Sequence, residues 1–448
     1  MPSRPLTVVS LFAGGLGLDV GLERVGGFKL LACVEKVPAF CETIRRNRDA
    51  GRIGTTDTRV YETDICDLSP STVLRDLELG PGDLDLLVGG PPCQTFSTTG
   101  KRATVQDPRG TLLWQFLRYI EVMQPKMFLM ENVRGLMSAA LSHRPIAERP
   151  EKGGPPLSKD EQPGSVIERF VADLHGAYRL DCFEVNAVNY GAPQLRERAI
   201  FIGNRLNRLV EFPLPTHGVT DDEPDLFSGD EGRQPFRTLR QALEGLHETH
   251  PVVMDFSPRK KHFLSQIPPG GNWRCLPADV AKESMGRAYH AKGGRSGWWR
   301  RLTWDLPCPT IVTMPNHAST SLCHPNEVRA LSLRECARVQ EFPDDWEFCG
   351  KTVEQYAQVG NAIPVRLGEV AGRAIRKHLE AARSGDSAAR HHAPPCRVVY
   401  VRSHIRTRQW FKAGTTLIWH EGEGDDATRY GSAKTDRKVR TIAHPKHL

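Results

Sequence analysis

Apolar positions along the chain fall into short runs separated by amphipathic stretches. Residues 6–12, 30–35, 84–89 and 127–131 are compact apolar runs of the kind that form strands buried on both faces of a parallel sheet. Between them the spacing lengthens to a helical period. Residues 111–124 show this best: Leu113, Phe116, Leu117 and Ile120 share one face, and Pro125 ends the run. Alternation of strand and helix predicts a doubly wound α/β sheet. Residues 143–164, rich in Pro, Gly, Lys and Glu, read as an exposed insertion, and a further helix–strand unit ends at 198–203. The acidic stretch 220–231 reads as a loop. From there to about Pro325 the spacing is irregular and Gly, Pro and Trp are frequent, which predicts a separate, loop-rich domain. Helical pattern returns at 333–341 and after Pro364, a residue suited to a first helical position. Residues 384–395 read as a linker, followed by two β-like runs at 397–401 and 415–419.

Composition narrows the class. The chain has 448 residues, 39% of them hydrophobic and 25% charged, which fits a soluble globular protein of two or three domains at roughly 100–200 residues each. No run reaches the ~18 apolar residues of a membrane span. The N-terminus leads straight into a strand and lacks the apolar region of a signal peptide. The 11 cysteines are odd in number, form no CxxC and make no zinc-type cluster with histidine. A cytoplasmic protein without a metal is therefore expected.

The net charge of +7 is unevenly placed. Residues 390–448 carry 12 Lys/Arg against 5 Asp/Glu, so the first 389 residues balance. Within those, residues 256–304 hold 10 basic and 2 acidic side chains together with Trp273, Trp298, Trp299 and Trp304. A basic stretch interleaved with aromatic residues suits a phosphate backbone, although a solvated face of a loop-rich domain has the same composition.

Four short segments carry candidate chemistry. The first strand runs into Phe12-Ala13-Gly14-Gly15-Leu16-Gly17 and then a helix, the arrangement that brings backbone close to an adenosine-containing ligand. Glu35 follows at the end of the next strand, where a carboxylate can accept both ribose hydroxyls. Asp64-Ile65 ends a third candidate strand, where an acid and an apolar side chain could hold adenine. The strict GxGxxG spacing is absent because Gly21 comes one residue late. In the second segment, Gly89-Gly90-Pro91-Pro92-Cys93-Gln94, two prolines present a cysteine rigidly at the carboxyl edge of the sheet, which suits a nucleophile. The polar stretch 95–110 after it, including Ser97, reads as a lid. Third, Glu131-Asn132-Val133 would project an acid to the same edge, where burial raises its pKa. Fourth, in Gln194-Leu195-Arg196-Glu197-Arg198 the two arginines point the same way from an extended segment and could grip a phosphate and a base carbonyl. Each segment alone has an ordinary structural reading: a glycine turn, a packed thiol, a strand-end cap, a surface strand.

Together with RECARVQEFP (334–343) and QVGNAIPV (358–365), the motifs PPCQ, ENV and QxRxR occur in a fixed order. The chain resembles the DNA cytosine-5 methyltransferases of bacterial modification systems over residues 6–205 and 330–380. The resemblance implies a Rossmann-like sheet that binds S-adenosyl-L-methionine, built from 1–205 and 331–383. It places a target-recognition domain at 206–330 and leaves 384–448 as a basic extension. It implies Cys93 as the nucleophile on cytosine C6, Glu131 as the acid at N3, and Arg198 with Arg196 orienting the base. Phe12, Gly14, Gly15, Gly17, Glu35, Asp64, Ile65, Pro91 and Asn361 would line the cofactor pocket. Gln94, Ser97, Asn132, Gln194 and Thr310, the last in a Thr310-Ile311 pair of the recognition domain, would face DNA. Double-stranded DNA is the implied partner, with a cognate restriction endonuclease acting on the same site; a monomer is expected. Leu16 departs from the family's FxGxGG loop, where glycine is usual. A tRNA cytosine-5 methyltransferase and a catalytically silent DNA-binding module are the competing readings, and about 125 residues between QxRxR and RECAR favour duplex DNA.

Overall fold

The computed structural model describes residues 4–92, 112–218, 233–290, 297–384, 396–401 and 437–442. Cys93, Gln94, Ser97, the 95–110 stretch, the 220–231 loop and the 415–419 run lie outside them. In chain order the strands are β1 (Leu6–Leu11), β2 (Phe28–Glu35), β3 (Arg59–Glu62), β4 (Leu86–Gly89), β5 (Met127–Asn132), β6 (Arg179–Asn186), β7 (Glu197–Asn204), β8 (His217–Gly218), β9 (Gln234–Pro235), β10 (Cys396–Val401) and β11 (Arg437–Ile442). The α-helices are α1 (Gly17–Val25), α2 (Pro38–Asp49), α3 (Pro70–Asp76), α4 (Leu112–Met123), α5 (Ser165–Asp173), α6 (Leu239–Leu243), α7 (Pro258–Leu264), α8 (Ala278–Met285), α9 (Leu333–Val339), α10 (Thr352–Asn361) and α11 (Val365–Arg383).

One sheet runs in the order β11-β10-β6-β7-β5-β4-β1-β2-β3. Strands β1 to β5 pair in parallel. Strand β7 is antiparallel to both β5 and β6, a direction that the apolar runs of the parallel strands do not reveal. The cause is the short link between β6 and β7, turned at Gly191 (φ 92°); a parallel crossover needs a dozen or more residues. Strand order reverses between β1 and β4, and in open α/β sheets that reversal opens a crevice at the carboxyl ends of the strands.

Alternating side chains feed two cores. Leu6 and Val8 of β1 pack with Leu18 and Leu22 of α1 and Leu367 and Ile375 of α11. Val9 and Leu11 pack with Leu113, Phe116, Leu117 and Ile120 of α4, the stripe read from the sequence. Helices α1 and α11 approach closely because glycines meet. A Cβ on Gly21 would lie 2.4 Å from the Val365 carbonyl, and one on Gly368 would lie 2.5 Å from that of Leu18. Gly21 therefore serves helix packing, which explains its offset from the nucleotide-binding spacing.

The middle region is more structured than its irregular pattern suggests. Helix α6 puts Leu239 and Leu243 into the main core, while α7 and α8 surround a small core of their own with Phe263, Leu264 and Trp299. The C-terminal strands extend the main sheet: β10 runs parallel to β6, and β11 pairs antiparallel with β10. Strand β3 ends at Glu62, so Asp64 and Ile65 stand in the turn beyond it. Among the described residues no helix is long and apolar enough to cross a membrane.

Candidate active site

A cavity of about 510 Å³ opens at the crevice predicted by the strand order, lined from the ends of β1, β2, β4 and β5 and by the segment entering α11. Its size suits a nucleotide-sized ligand. Phe12, Gly14, Gly15, Gly17, Glu35, Asp64, Ile65, Pro91, Glu131, Asn132, Arg196, Arg198 and Asn361 all lie on its wall.

The loop after β1 is shaped by left-handed residues. Phe12 (φ 53°), Gly14 (φ 54°) and Leu16 (φ 65°) all adopt positive φ. Leu16 thus takes the conformation a glycine would take at no strain; for an L side chain the cost is about 1–2 kcal/mol. Burial of its side chain, 1% exposed, offsets that cost. The departure at position 16 leaves the turn formed. Gly17 is needed for packing as well as lining, since a Cβ there would sit 2.2 Å from the Ile363 carbonyl.

Glu35 is fixed by three backbone N–H groups. Gly14 donates to Oε2 at 2.9 Å, and Lys36 and Val37 donate to Oε1 at 2.9 and 3.0 Å. Asp64 accepts from the Cys66 N–H at 3.0 Å and pairs with Lys36. These contacts hold its carboxyl below the ordinary range.

Glu131 lies at the end of β5, 9% exposed. Burial pushes its carboxyl above the ordinary range, opposed by the charges of Arg198 and Arg196. Arg198 Nε meets Oε1 at 2.6 Å. The other oxygen, Oε2, lies over Gly90, where a Cβ would come within 3.3 Å of it. The glycine therefore makes room for the carboxyl beside the Pro91-Pro92 turn, and Cys93 is the next residue in the chain. Asn132 Nδ2 donates to the Pro91 carbonyl at 3.1 Å, so the residue after Glu131 holds that turn in place.

The two arginines divide their labour. Arg196, 2% exposed, donates to the carbonyls of Ile311 and Gly360 at 2.8 and 2.9 Å. It ties the middle region and α10 to the cavity instead of sharing a phosphate grip with Arg198. Burial and Arg198 both disfavour its charge, and Glu131 opposes them. Gln194 is fully buried. Its Nε2 donates to Val339 O and Gln340 Oε1 at 3.0 and 2.7 Å, and its Oε1 accepts from Ile311 N–H. Thr310 Oγ1 donates to the Leu195 carbonyl at 2.6 Å. Both residues thus stitch the middle region to the β6–β7 link.

Asp19 and Gln358 also line the cavity, and sequence reasoning passed over both. Gln358 was within reach of it, since it opens the motif read only at Asn361. Asp19 looks like an ordinary acidic residue in a first helical turn. Among the described residues no cluster of His, Cys, Asp and Glu could hold a metal ion.

A mixed α/β sheet with a strand-edge cavity, a carboxylate held by backbone N–H groups at the end of β2 and a buried Glu–Arg pair is a site of the α/β ligand-binding class. The comparisons specify it. Residues 6–147 and 160–377 match the C-5 cytosine-specific DNA methylase family. The type II methyltransferase M.PspPI of a Psychrobacter species is 38% identical over 386 residues, covering 85% of this chain and 81% of its own. The type II methyltransferase M.Eco47II of Escherichia coli is 34% identical over 374 residues, covering 82% and 78%. Among solved structures, a DNA modification methyltransferase encoded within an E. coli prophage superposes with a TM-score of 0.54 at 22% identity, over 84% of this chain and 99% of its own, and supports the fold. The chain belongs to the C-5 cytosine-specific DNA methylase family and is a DNA cytosine-5 methyltransferase. Family and relatives alike speak against the tRNA alternative, and the reaction class requires a methyl donor.

Proposed function

We propose that the protein methylates C5 of a cytosine turned out of a specific site in double-stranded DNA, using S-adenosyl-L-methionine, with Cys93, Glu131 and Arg198 acting on the base. The observation that carries this assignment is the placement of Glu131: Oε1 is taken by Arg198 and Oε2 lies over Gly90, on the turn that leads into Cys93. The cavity fits the donor, since Glu35 offers a carboxylate for ribose hydroxyls and Asp64-Ile65 an acceptor and an apolar cover for adenine.

Cytosine C5 is too weak a nucleophile to accept a methyl group unaided. The Cys93 thiolate forms a bond to C6, and the displaced electron pair is taken up at N3, which receives the proton of Glu131 Oε2. Burial, which disfavours the charged form of that carboxyl, prepares it for this role. Arg198, held on Oε1, orients the acid and supports the base. When bound, S-adenosyl-L-methionine would supply an electrophilic methyl on a sulfonium; C5 of the Cys93 adduct forms the new bond to that methyl as the sulfonium–carbon bond breaks to a neutral thioether. Loss of the C5 proton to a water base, expulsion of the Cys93 thiolate and return of the N3 proton to Glu131 then restore the neutral aromatic ring and the acid. Reaching the base inside a duplex costs a few kcal/mol for flipping, which phosphate contacts from the basic 256–304 window can offset. The enzyme acts as a monomer, and its methylation protects host DNA from a companion restriction endonuclease of the same site. Bisulfite sequencing of DNA from cells expressing the protein tests the reading: one sequence context fully methylated at one cytosine is expected. A pattern no different from cells lacking the protein overturns it.

A further inference from the structure

Four carboxylates line the cavity: Asp19, Glu35, Asp64 and Glu131. Three are engaged by fixed donors, Glu35 by backbone N–H groups, Asp64 by Cys66 and Lys36, and Glu131 by Arg198. Asp19 differs. It is 4% exposed; Oδ2 accepts from Ser10 Oγ at 3.1 Å, and Oδ1 is buried without a partner. Gln358 repeats the pattern. Its Nε2 donates to the Cys349 carbonyl at 2.9 Å, its Oε1 is likewise buried and unpartnered, and its backbone lies against Gly15. Two orphaned acceptors thus flank the Gly14–Gly17 turn. Leaving such groups unpaired is costly, so a further donor is what the site lacks.

Position along the sheet edge identifies the cation. Asp64 follows β3, Glu35 ends β2, the Gly14–Gly17 turn follows β1, and Pro91 and Glu131 belong to β4 and β5. With adenine at β3, ribose at β2 and the methyl directed to β4 and β5, the amino-acid end of the donor falls at β1. We infer that Asp19 receives the ammonium group of S-adenosyl-L-methionine, with Gln358 Oε1 as a second acceptor. The inference rests on the reading of the cavity as the donor site. An ammonium carries three N–H donors and no acceptor, which matches the Asp19 carboxylate once it gives up its proton and the Gln358 amide oxygen. Burial pushes the Asp19 carboxyl up to about 7, with Glu23 of α1 adding to the effect. Cys33 of β2 also faces it, as a thiol that burial keeps protonated, and Ser10 of β1 contributes only a hydroxyl. Near and below neutral pH the empty site therefore holds a proton on Asp19, and the arriving ammonium displaces it.

The test is calorimetric binding to the full-length protein of S-adenosylmethionine, S-adenosylhomocysteine and methylthioadenosine; the last keeps the nucleoside but lacks the ammonium. Asp19→Asn should weaken the first two about tenfold or more and leave methylthioadenosine within twofold, which also shows the variant folded. Wild-type binding of S-adenosylmethionine at pH 6.5 should release protons, seen as a dependence of the heat on buffer ionisation, and Asp19→Asn should abolish that release. Unchanged affinities, equal loss of all three ligands, loss confined to the sulfonium ligand, or a wild type without proton release would each overturn the inference. A wild type that binds none of the three would instead overturn the reading of the cavity.

Discussion

Replacing Glu131 with Gln tests the division of its two carboxyl oxygens. The amide keeps the shape of the side chain and an oxygen for Arg198 Nε, which now stands 2.6 Å from Oε1. It cannot deliver a proton to N3. A positioned general acid contributes about 10²–10⁴-fold, equivalent to about 3–5 kcal/mol of barrier. Stability should change less. Losing a partner outright from a buried pair costs about 3–5 kcal/mol, but here one hydrogen bond survives and the desolvated charge that raised the Glu131 carboxyl is gone. A net loss of about 1–2 kcal/mol follows. Because the folded carboxyl titrates above its ordinary range, wild-type turnover should fall as pH rises through that raised value. Single-turnover transfer of labelled methyl to duplex DNA, at saturating donor and DNA, reads the chemical step directly. A rate within threefold of wild type would refute the assignment, as would a deficit that disappears when donor concentration is raised.

Arg196→Met should lower the melting temperature and weaken both donor and DNA binding, because two charge-assisted bonds to Ile311 and Gly360 are worth about 1.5–3 kcal/mol each; unchanged melting with weaker DNA binding alone would mean the guanidinium reaches DNA. Gly21→Ala should destabilise by about 1–3 kcal/mol in denaturant melts, since the added Cβ would lie 2.4 Å from the Val365 carbonyl, whereas Gly51→Ala meets no neighbouring atom and should show only the strain of its left-handed backbone. In donor-free enzyme, Asp19 holds a proton up to about 7 in the folded state against 3.8 for the ordinary carboxyl, so stability falls as pH rises between those values. Asp19→Asn should therefore melt above wild type at pH 8, by at most about 4 kcal/mol; a lower melting point there would show that the charge is paired.

Much of this architecture was legible because its signals are local. The apolar runs of β1, β2, β4 and β5 and the stripe on α4 stand out without knowledge of their neighbours. So do Glu35 and Glu131, which occupy strand ends by position alone. The antiparallel β7 was hidden, since its direction depends on the length and turn of the link from β6 and not on its own pattern. Gln194 and Thr310 show a second limit. A polar side chain reads as a candidate for substrate, yet here the donors and acceptors are spent on carbonyls and amides far along the chain. The role of Gly21 depends on Val365, and the place of Asp19 on the cavity wall depends on Ser10 of β1; no spacing rule encodes either. The middle region escaped because its short helices gather around Phe263 and Trp299 with too few turns for a period to emerge.

The central claim is a transient bond between the Cys93 sulfur and cytosine C6. A duplex with 5-fluorocytosine at the methylated position, mixed with the enzyme and S-adenosylmethionine, measures it most directly, because fluorine at C5 cannot leave as a proton does. A complex that survives denaturation, with the oligonucleotide attached to the peptide containing Cys93 and absent in Cys93→Ser, is the predicted result. Tight binding of that duplex with no covalent product, or a covalent product that persists in Cys93→Ser, would contradict it.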